Sequence, residues 1–427
     1  MKMYLLLLSA LVIAASPSDS AEPTNQAIAL KPRAGLLIES LDGPVTTNEV
    51  RAFKGFMQTQ TPPATPWSVG RHNSWAFGPG GRNLEAMGMM YEISGDAELL
   101  DQMIRWTDKC VSERNDLLSA ANGGQRVMWT GKIDKVWCPE APDARNAKYA
   151  GCEVEDTIAH IAYGAKLILQ NPKLWKLKVP DGDPFGYGAT YKERALTYLA
   201  KCDEANDDYF VKWFIEPGTH LIRDPTNQPA WTAIHNNLNA INRQMMFDGG
   251  FQRLAECHEI LGDAPGRVKH YDAIVKASLD ECMKCITTFK VGEVNGKKVL
   301  DWPYFPWSTR GSESTGHAAY DVLGIYRAFQ RPVYGLKLSD VIPIANTMAY
   351  VIYKGTNTFA ATIDGQETLR SFAFGEWMLL ADWNPDIYDI IGKSAMTSQS
   401  YTNNPNFTAS ILWIKDRRAK ELGPKLN

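Results

Sequence analysis

Apolar residues recur at helical spacing in one segment after another from about residue 40 to residue 416, and each run stops at glycine, proline or a polar turn. The pattern predicts helices over 40–59, 83–95, 97–115, 153–170, 189–204, 229–247, 250–262, 267–289, 314–330, 338–353, 367–382 and 405–416. Turns are expected at Asp248-Gly249-Gly250, at 261–266 and at 354–358. No run alternates strongly enough for a sheet, although 291–302 reads as a β-hairpin turning at Asn295-Gly296. Helices in such number bury one stripe each by packing in pairs. An open solenoid of pairs needs capped ends, whereas a ring needs none and gathers its loops around a central cleft. The expectation is an all-α fold, an (α/α) toroid built as an incomplete six- or seven-hairpin barrel with long loops, formed by residues 22–427 as one domain.

Residues 1–21 stand apart from that pattern. Lys2, the apolar run 4–15 and the small residues up to Ala21 have the layout of a secretory signal. No second apolar run is long enough to span a bilayer, so the expected location is extracellular and no membrane partner is expected. Seven cysteines suit an oxidising compartment and leave one over, with Cys138–Cys152 as the preferred disulfide across a loop. Asn406, in Asn-Phe-Thr, is a glycosylation acceptor motif. The formal charge is −3 with no Lys/Arg block, which argues against a nucleic-acid partner. The 13 Trp, 17 Tyr and 15 Phe are many for the length, and several Trp stand beside Pro or Gly in expected loops. Core packing accounts for part of them, and stacking platforms for sugar rings for the rest.

Polar residues concentrate just ahead of the expected helices. The stretch Trp302–Tyr326 opens on an aromatic, proline-rich run carrying Tyr304 and Trp307. It continues through Arg310 and Glu313, then becomes helical with His317 and Tyr320 three apart on one face. A second constellation, 229–249, carries His235, Asn236, Asn237, Asn239, Asn242 and Arg243 along an apolar stripe of Ile234, Leu238, Ile241 and Met245. Loop 71–82 supplies Arg71, His72, Trp75 and Arg82, and the long irregular stretch 120–151 supplies Arg126, Lys132 and Trp137. Arginine suits a carboxylate bidentately, so both segments are candidate walls for an acidic polymer. Trp383 is a further candidate for the cleft edge. The opening of 153–170 echoes that of 314–330, pairing Asp156 with Glu313, His160 with His317 and Tyr163 with Tyr320.

These groups suit β-elimination from a uronic acid polymer. A base removes the proton on C5, donors stabilise the enediolate that forms at the carboxylate, and an acid protonates the departing glycosidic oxygen. One tyrosine can do both proton transfers on one face of the sugar if a cation lowers its ordinary value of about 10. Tyr320 is the candidate for that role, Arg310 for the cation, His317 for a second base or donor, and Asn236 with His235 for the carboxylate. No metal ligand spacing is present and no cofactor is expected.

The set resembles the metal-independent alginate and glucuronan lyases built on (α/α) barrels, above all the branch with seven hairpins, whose members act on glucuronan or mannuronate-rich alginate. The resemblance implies a tyrosine as base and acid, assisted by arginine, with asparagine and histidine at the carboxylate. Onto this chain it carries as Tyr320, Arg310, Asn236 and either His235 or His317, with Tyr304 competing for the phenol. The rival reading is a glycoside hydrolase on the same fold, which needs two carboxyl groups. Glu155, Asp156, Glu313, Asp321 and Glu376 are its candidates, with Glu313 foremost. A carbohydrate-binding protein without catalysis is the third.

Overall fold

A computed structural model describes residues 35–64, 74–141, 147–225 and 238–422, all within one unit, Ala34–Asn427. The helices are α1 (Thr47–Gln58), α2 (Pro79–Ser94), α3 (Ala97–Ser112), α4 (Asp156–Leu169), α5 (Tyr191–Ala205), α6 (Val211–Phe214), α7 (Ile241–Leu261), α8 (Pro265–Thr288), α9 (Thr315–Phe329), α10 (Leu338–Thr347), α11 (Gly375–Met378), α12 (Asp386–Ser398) and α13 (Pro405–Leu422). The chain is mostly helical, in line with the all-α expectation. Two small antiparallel hairpins complete the described residues: β1 (Lys290–Val294) with β2 (Lys297–Asp301), and β3 (Tyr353–Gly355) with β4 (Thr358–Phe359). The first turns at Asn295-Gly296, as expected. The expected signal at 1–21 lies outside the described residues. Among those that are described, no helix is long and apolar enough to cross a membrane.

Local chemistry sets many helix starts. Thr46 and Glu49 form a reciprocal capping box on α1, as do Thr190 and Glu193 on α5. Pro79 and Pro265 open α2 and α8, where a missing N–H does no harm. Gly95 and Gly262 end α2 and α7 in the left-handed conformation that suits a residue without Cβ.

The helices pack in a recurring order. α2 contacts α4, α4 contacts α7, α7 contacts α9, α9 contacts α11, α11 contacts α13, and α13 returns to α2. Against this series lie α3 on α2 and α4, α5 on α4, α8 on α7, and α12 on α11 and α13. Members of the series are buried on more than one face: nearly all of α4 is inaccessible, and so is most of α7.

Four expectations change. The turn at 248–250 is absent, because α7 runs unbroken from Ile241 to Leu261. Gly249 and Gly250 sit inside it, where a Cβ would lie 2.8 Å from Arg327 Nη1 and 2.1 Å from Glu155 Oε1. The loss in helix propensity, about 1 kcal/mol for each glycine, makes room for Glu155, just before α4, and Arg327 of α9. The helix expected over 229–247 therefore starts at 241, and residues 226–237 lie outside the described set. The helix expected over 367–382 is confined to α11 and a following 3-10 turn, while α12 occurs where none was expected. Finally, all seven cysteines are free. Cys138 and Cys152 are both buried, and Cys138 Sγ faces Asn115 Oδ1 at 3.5 Å instead of a second sulfur. Asn406 is also buried, near the start of α13.

α7 and α9 approach each other closely. A Cβ on Gly324 would stand 2.5 Å from Met245 Cβ and 3.0 Å from Met245 Cα, so the obstruction includes backbone. Gly324→Ala should destabilise the fold by about 1–3 kcal/mol, measured as a lower urea midpoint with unchanged slope. An unchanged midpoint would mean that the two helices are free to separate.

Candidate active site

Residues 74–82 double back tightly onto α2. Gly81 N–H donates to Ser74 O at 3.0 Å, and a Cβ on Gly81 would fall 2.3 Å from both Trp75 O and Ala76 O. Glycine is required for that approach, and it sets Arg82 on the first turn of α2. There Arg82 Nη2 donates to the Tyr320 hydroxyl at 2.6 Å, and the hydroxyl lies 3.4 Å from Phe77 O. Glu376 Oε1, on α11, is 4.0 Å behind the same nitrogen. Three helices thus converge on one phenol. Burial pushes that phenol up to about 12, against the lowering influence of Arg82.

Tyr320 is carried by α9, whose start is pinned on several sides. Ser314 caps it by accepting from His317 N–H at 3.1 Å. Thr315 N–H donates to Ala361 O at 2.8 Å, and Trp377 Nε1 donates to Thr315 O at 3.0 Å. The preceding loop is tied down at Trp302, which is fully buried and donates through Nε1 to Asp321 Oδ2 at 2.7 Å. Its next residues reach α7: Ile241 N–H donates to Tyr304 O at 3.0 Å, and Trp307 Nε1 donates to Leu238 O at 3.0 Å. Phe305 and Trp307 stack with ring centroids 4.8 Å apart, and Trp307 remains 46% exposed, enough for a sugar face to rest on it. The Tyr304 ring lies 5.4 Å from that of His317. Burial raises the Tyr304 phenol, with Arg243 acting in the opposite direction.

Beneath this surface is a layer of buried charge. Glu85 of α2 accepts from Arg253 of α7 at 2.5 and 2.8 Å and faces Arg327 of α9 at 3.1 Å. His160 of α4 reaches Glu85 at 3.2 Å, Asp156 at 3.4 Å and Ala76 O at 3.0 Å. The last contact joins the layer to the turn that presents Arg82. Burial alone would raise the Glu85 carboxyl, but the Arg253 and Arg327 charges outweigh it and hold it well below the usual carboxylate range.

Several expected site residues do other work. Arg310 is exposed, and the guanidinium at Tyr320 is that of Arg82. Trp75 is fully buried, donating to Glu113 Oε2 at 2.5 Å with its ring edge-on to Trp106, so it is no platform. Trp137 is equally buried and donates to Cys110 O. Trp383 is buried against Tyr326 and Phe329, not at a cleft edge. Arg126 is half-buried and donates to Glu140 O at 2.6 Å, while Lys132 is exposed. Arg71, His72, His235, Asn236 and Asn237 lie outside the described residues, although the Trp307–Leu238 bond brings the chain just after Asn237 to the loop before α9. The echo between the two helix openings is physical at one point. Asp156–His160 and Glu313–His317 are both carboxylate–imidazole pairs four residues apart, at 3.4 and 3.3 Å. Their tyrosines diverge, since Tyr163 donates to Glu92 and Tyr320 accepts from Arg82.

A separate cavity of about 230 Å³ lies along the C-terminal halves of α2, α4, α7 and α9. Glu85, Arg253 and Arg327 of the charged layer line it with Tyr163 and Tyr326, and its charges pair with one another, as in Lys166–Glu256 at 2.7 Å. Among the described residues no group of three or more His, Cys, Asp or Glu is placed to hold a metal ion. Comparison with protein-family models, curated proteins and solved structures yields no match.

Replacing Glu85 by Gln leaves Arg253 and Arg327 buried without their shared anion, and should cost about 3–5 kcal/mol at neutral pH. A carboxyl whose folded value is depressed stabilises above its unfolded value of about 4.3 and loses that effect as acid titrates it in the fold. The gap between Glu85→Gln and the parent chain should therefore be widest near neutrality and narrow in acid. Denaturant titrations at several pH values would read it, and a pH-independent gap would contradict the assignment.

Proposed function

We propose that this chain is a secreted polysaccharide lyase on an (α/α) toroid, cleaving a uronic acid polymer such as glucuronan or mannuronate-rich alginate by metal-independent β-elimination. The return of α13 onto α2 supports a closed arrangement of six inner helices. The layout of residues 1–21 supports secretion.

One observation carries the chemical reading: the Arg82 guanidinium donates to the Tyr320 phenol oxygen at 2.6 Å, on a helix start flanked by an exposed aromatic platform. A phenolate formed there is met by a fixed cation, which is the condition a tyrosine base needs. Tyr320 takes the proton from C5. The electron pair moves into the C4–C5 bond as the C4–O bond breaks, and the same phenol returns a proton to the leaving oxygen. Asn236 with His235 supplies donors for the uronate carboxylate, and His317 is a second base. Arg82 thus replaces Arg310 as the residue that assists the phenol, and Glu376 steadies Arg82 from behind.

The hydrolase reading needs two carboxyl groups open to substrate. Its candidates Glu155, Asp156, Glu313, Asp321 and Glu376 are only 0%, 2%, 2%, 0% and 4% exposed, which weighs against it.

The test is ultraviolet absorbance of the unsaturated uronate end, with glucuronan, polymannuronate, polyguluronate and a neutral glucan in parallel, with and without EDTA. Absorbance should grow on a polyuronate, survive EDTA and fall by at least about 10²-fold in Tyr320→Phe. Silence on every acidic polymer would overturn the lyase reading, and new reducing ends that depend on Glu313 would favour hydrolysis. Because burial holds the Tyr320 phenol near 12, its base form grows as pH rises. The parent rate should therefore climb from neutral into alkaline solution. A maximum below neutrality would assign proton abstraction to another group.

A further inference from the structure

The Glu313 carboxylate is held with unusual care for a loop side chain. Its backbone is clamped on both sides, with the N–H donating to Trp302 O at 2.8 Å and the carbonyl accepting from Ile363 N–H at 3.0 Å. The side chain is 3% exposed, yet Oε1 lies 3.3 Å from Nδ1 of His317, whose side chain is 56% exposed. The same oxygen accepts from Ser314 N–H at 2.6 Å, while Oε2 is buried with no hydrogen-bond partner. Asp321, one turn beyond His317, stands close enough for the Glu313 charge to act on it. It too has a buried oxygen without a hydrogen-bond partner, Oδ1.

We propose that Glu313 is a positioning residue for His317: it accepts the Nδ1 proton, fixes the imidazole in one tautomer and orientation, and leaves the Nε2 lone pair facing solvent beside Tyr304. A carboxylate oxygen 3.3 Å away favours the proton on Nδ1, because a carboxylate can only accept. A buried carboxylate does this better than a solvated one, because the imidazolium formed when Nε2 gains a proton is then met by a charge that water does not screen. Burial, with the Glu313 charge adding to it, pushes the neighbouring Asp321 carboxyl well up. The Tyr304 ring closes one side of the imidazole, and Ser314 holds its backbone, so only the outer nitrogen is left for substrate or solvent.

The inference deepens the lyase reading by giving His317 a proton-accepting nitrogen, and it is testable without substrate. In the full chain labelled with nitrogen-15 histidine, the His317 resonances, assigned by their loss in His317→Gln, should show Nδ1 protonated and Nε2 bare at a pH where the ring is neutral. Glu313→Gln keeps the shape and the Ser314 contact but removes the charge. It should mix the tautomers and lower kcat on the polyuronate by about 10²-fold while KM holds. Glu313→Gln combined with His317→Gln should be no slower than His317→Gln alone, as expected for two residues acting as a unit. A protonated Nε2 in the neutral parent chain overturns the proposal, whether or not Glu313→Gln folds. So does a Glu313→Gln chain with unchanged tautomer and kcat. If no uronate polymer is cleaved but the tautomer is as stated and responds to Glu313→Gln, the lyase reading fails and the positioning role stands.

Discussion

Everything in the candidate site rests on the buried pairing of Glu85 with Arg253 and Arg327. Those three side chains come from α2, α7 and α9, and His160 and Asp156 add α4 to the same layer. Charges taken out of water are tolerated only when each is met at close range. The helices that carry them are therefore restricted to positions and rotations that keep the pairs intact. Gly249 is part of that restriction, since its missing side chain is the space that the Arg327 guanidinium fills. Apolar packing along α4 and α7 supplies much of the stabilisation, but it is non-directional, and the charges add the orientation.

From that layer a chain of contacts runs outward to the N-terminal ends of the same helices. His160 Nε2 touches Ala76 O, the turn at 74–78 folds over Gly81, and Arg82 emerges against Tyr320. On the far side, Trp302 anchors the loop before α9 to Asp321, and Tyr304 anchors it to the start of α7. Rigid supports of this kind give a phenol and an imidazole fixed directions, which acid–base chemistry requires. The Phe305–Trp307 stack, lying on the same loop, combines rigidity with access at Trp307.

The repeated carboxylate–imidazole pair on α4 and α9 has two different fates. At α4 the imidazole is buried and both its nitrogens are used within the layer, so Asp156 and His160 belong to the framework. At α9 the carboxylate is buried while the imidazole is open, so the same four-residue spacing yields a group directed outward. The difference comes from what covers each helix start, the 74–82 turn in one case and a short aromatic loop in the other.

Local chemistry wrote much of the secondary structure into the chain. Helix starts at Thr46, Thr190 and Ser314, the hairpin at Asn295-Gly296 and the shared face of His317 and Tyr320 all follow from neighbours within a few residues. What lay beyond the sequence was decided by contacts between distant segments. Arg82 and Tyr320 are 238 positions apart, and no spacing rule reveals that this arginine, and not the nearby Arg310, meets the phenol. Trp75 and Trp137 stand in expected loops as candidates for a cleft wall, yet both are buried with hydrogen-bonding partners at Glu113 and Cys110. Asp248-Gly249-Gly250 has the composition of a turn, yet it is helical, and Glu155, just before α4, and Arg327 of α9 fill the space that its glycines leave. Helix capping and periodicity act over one or two turns, whereas burial and ion pairing depend on which segments meet, and only the folded chain settles that.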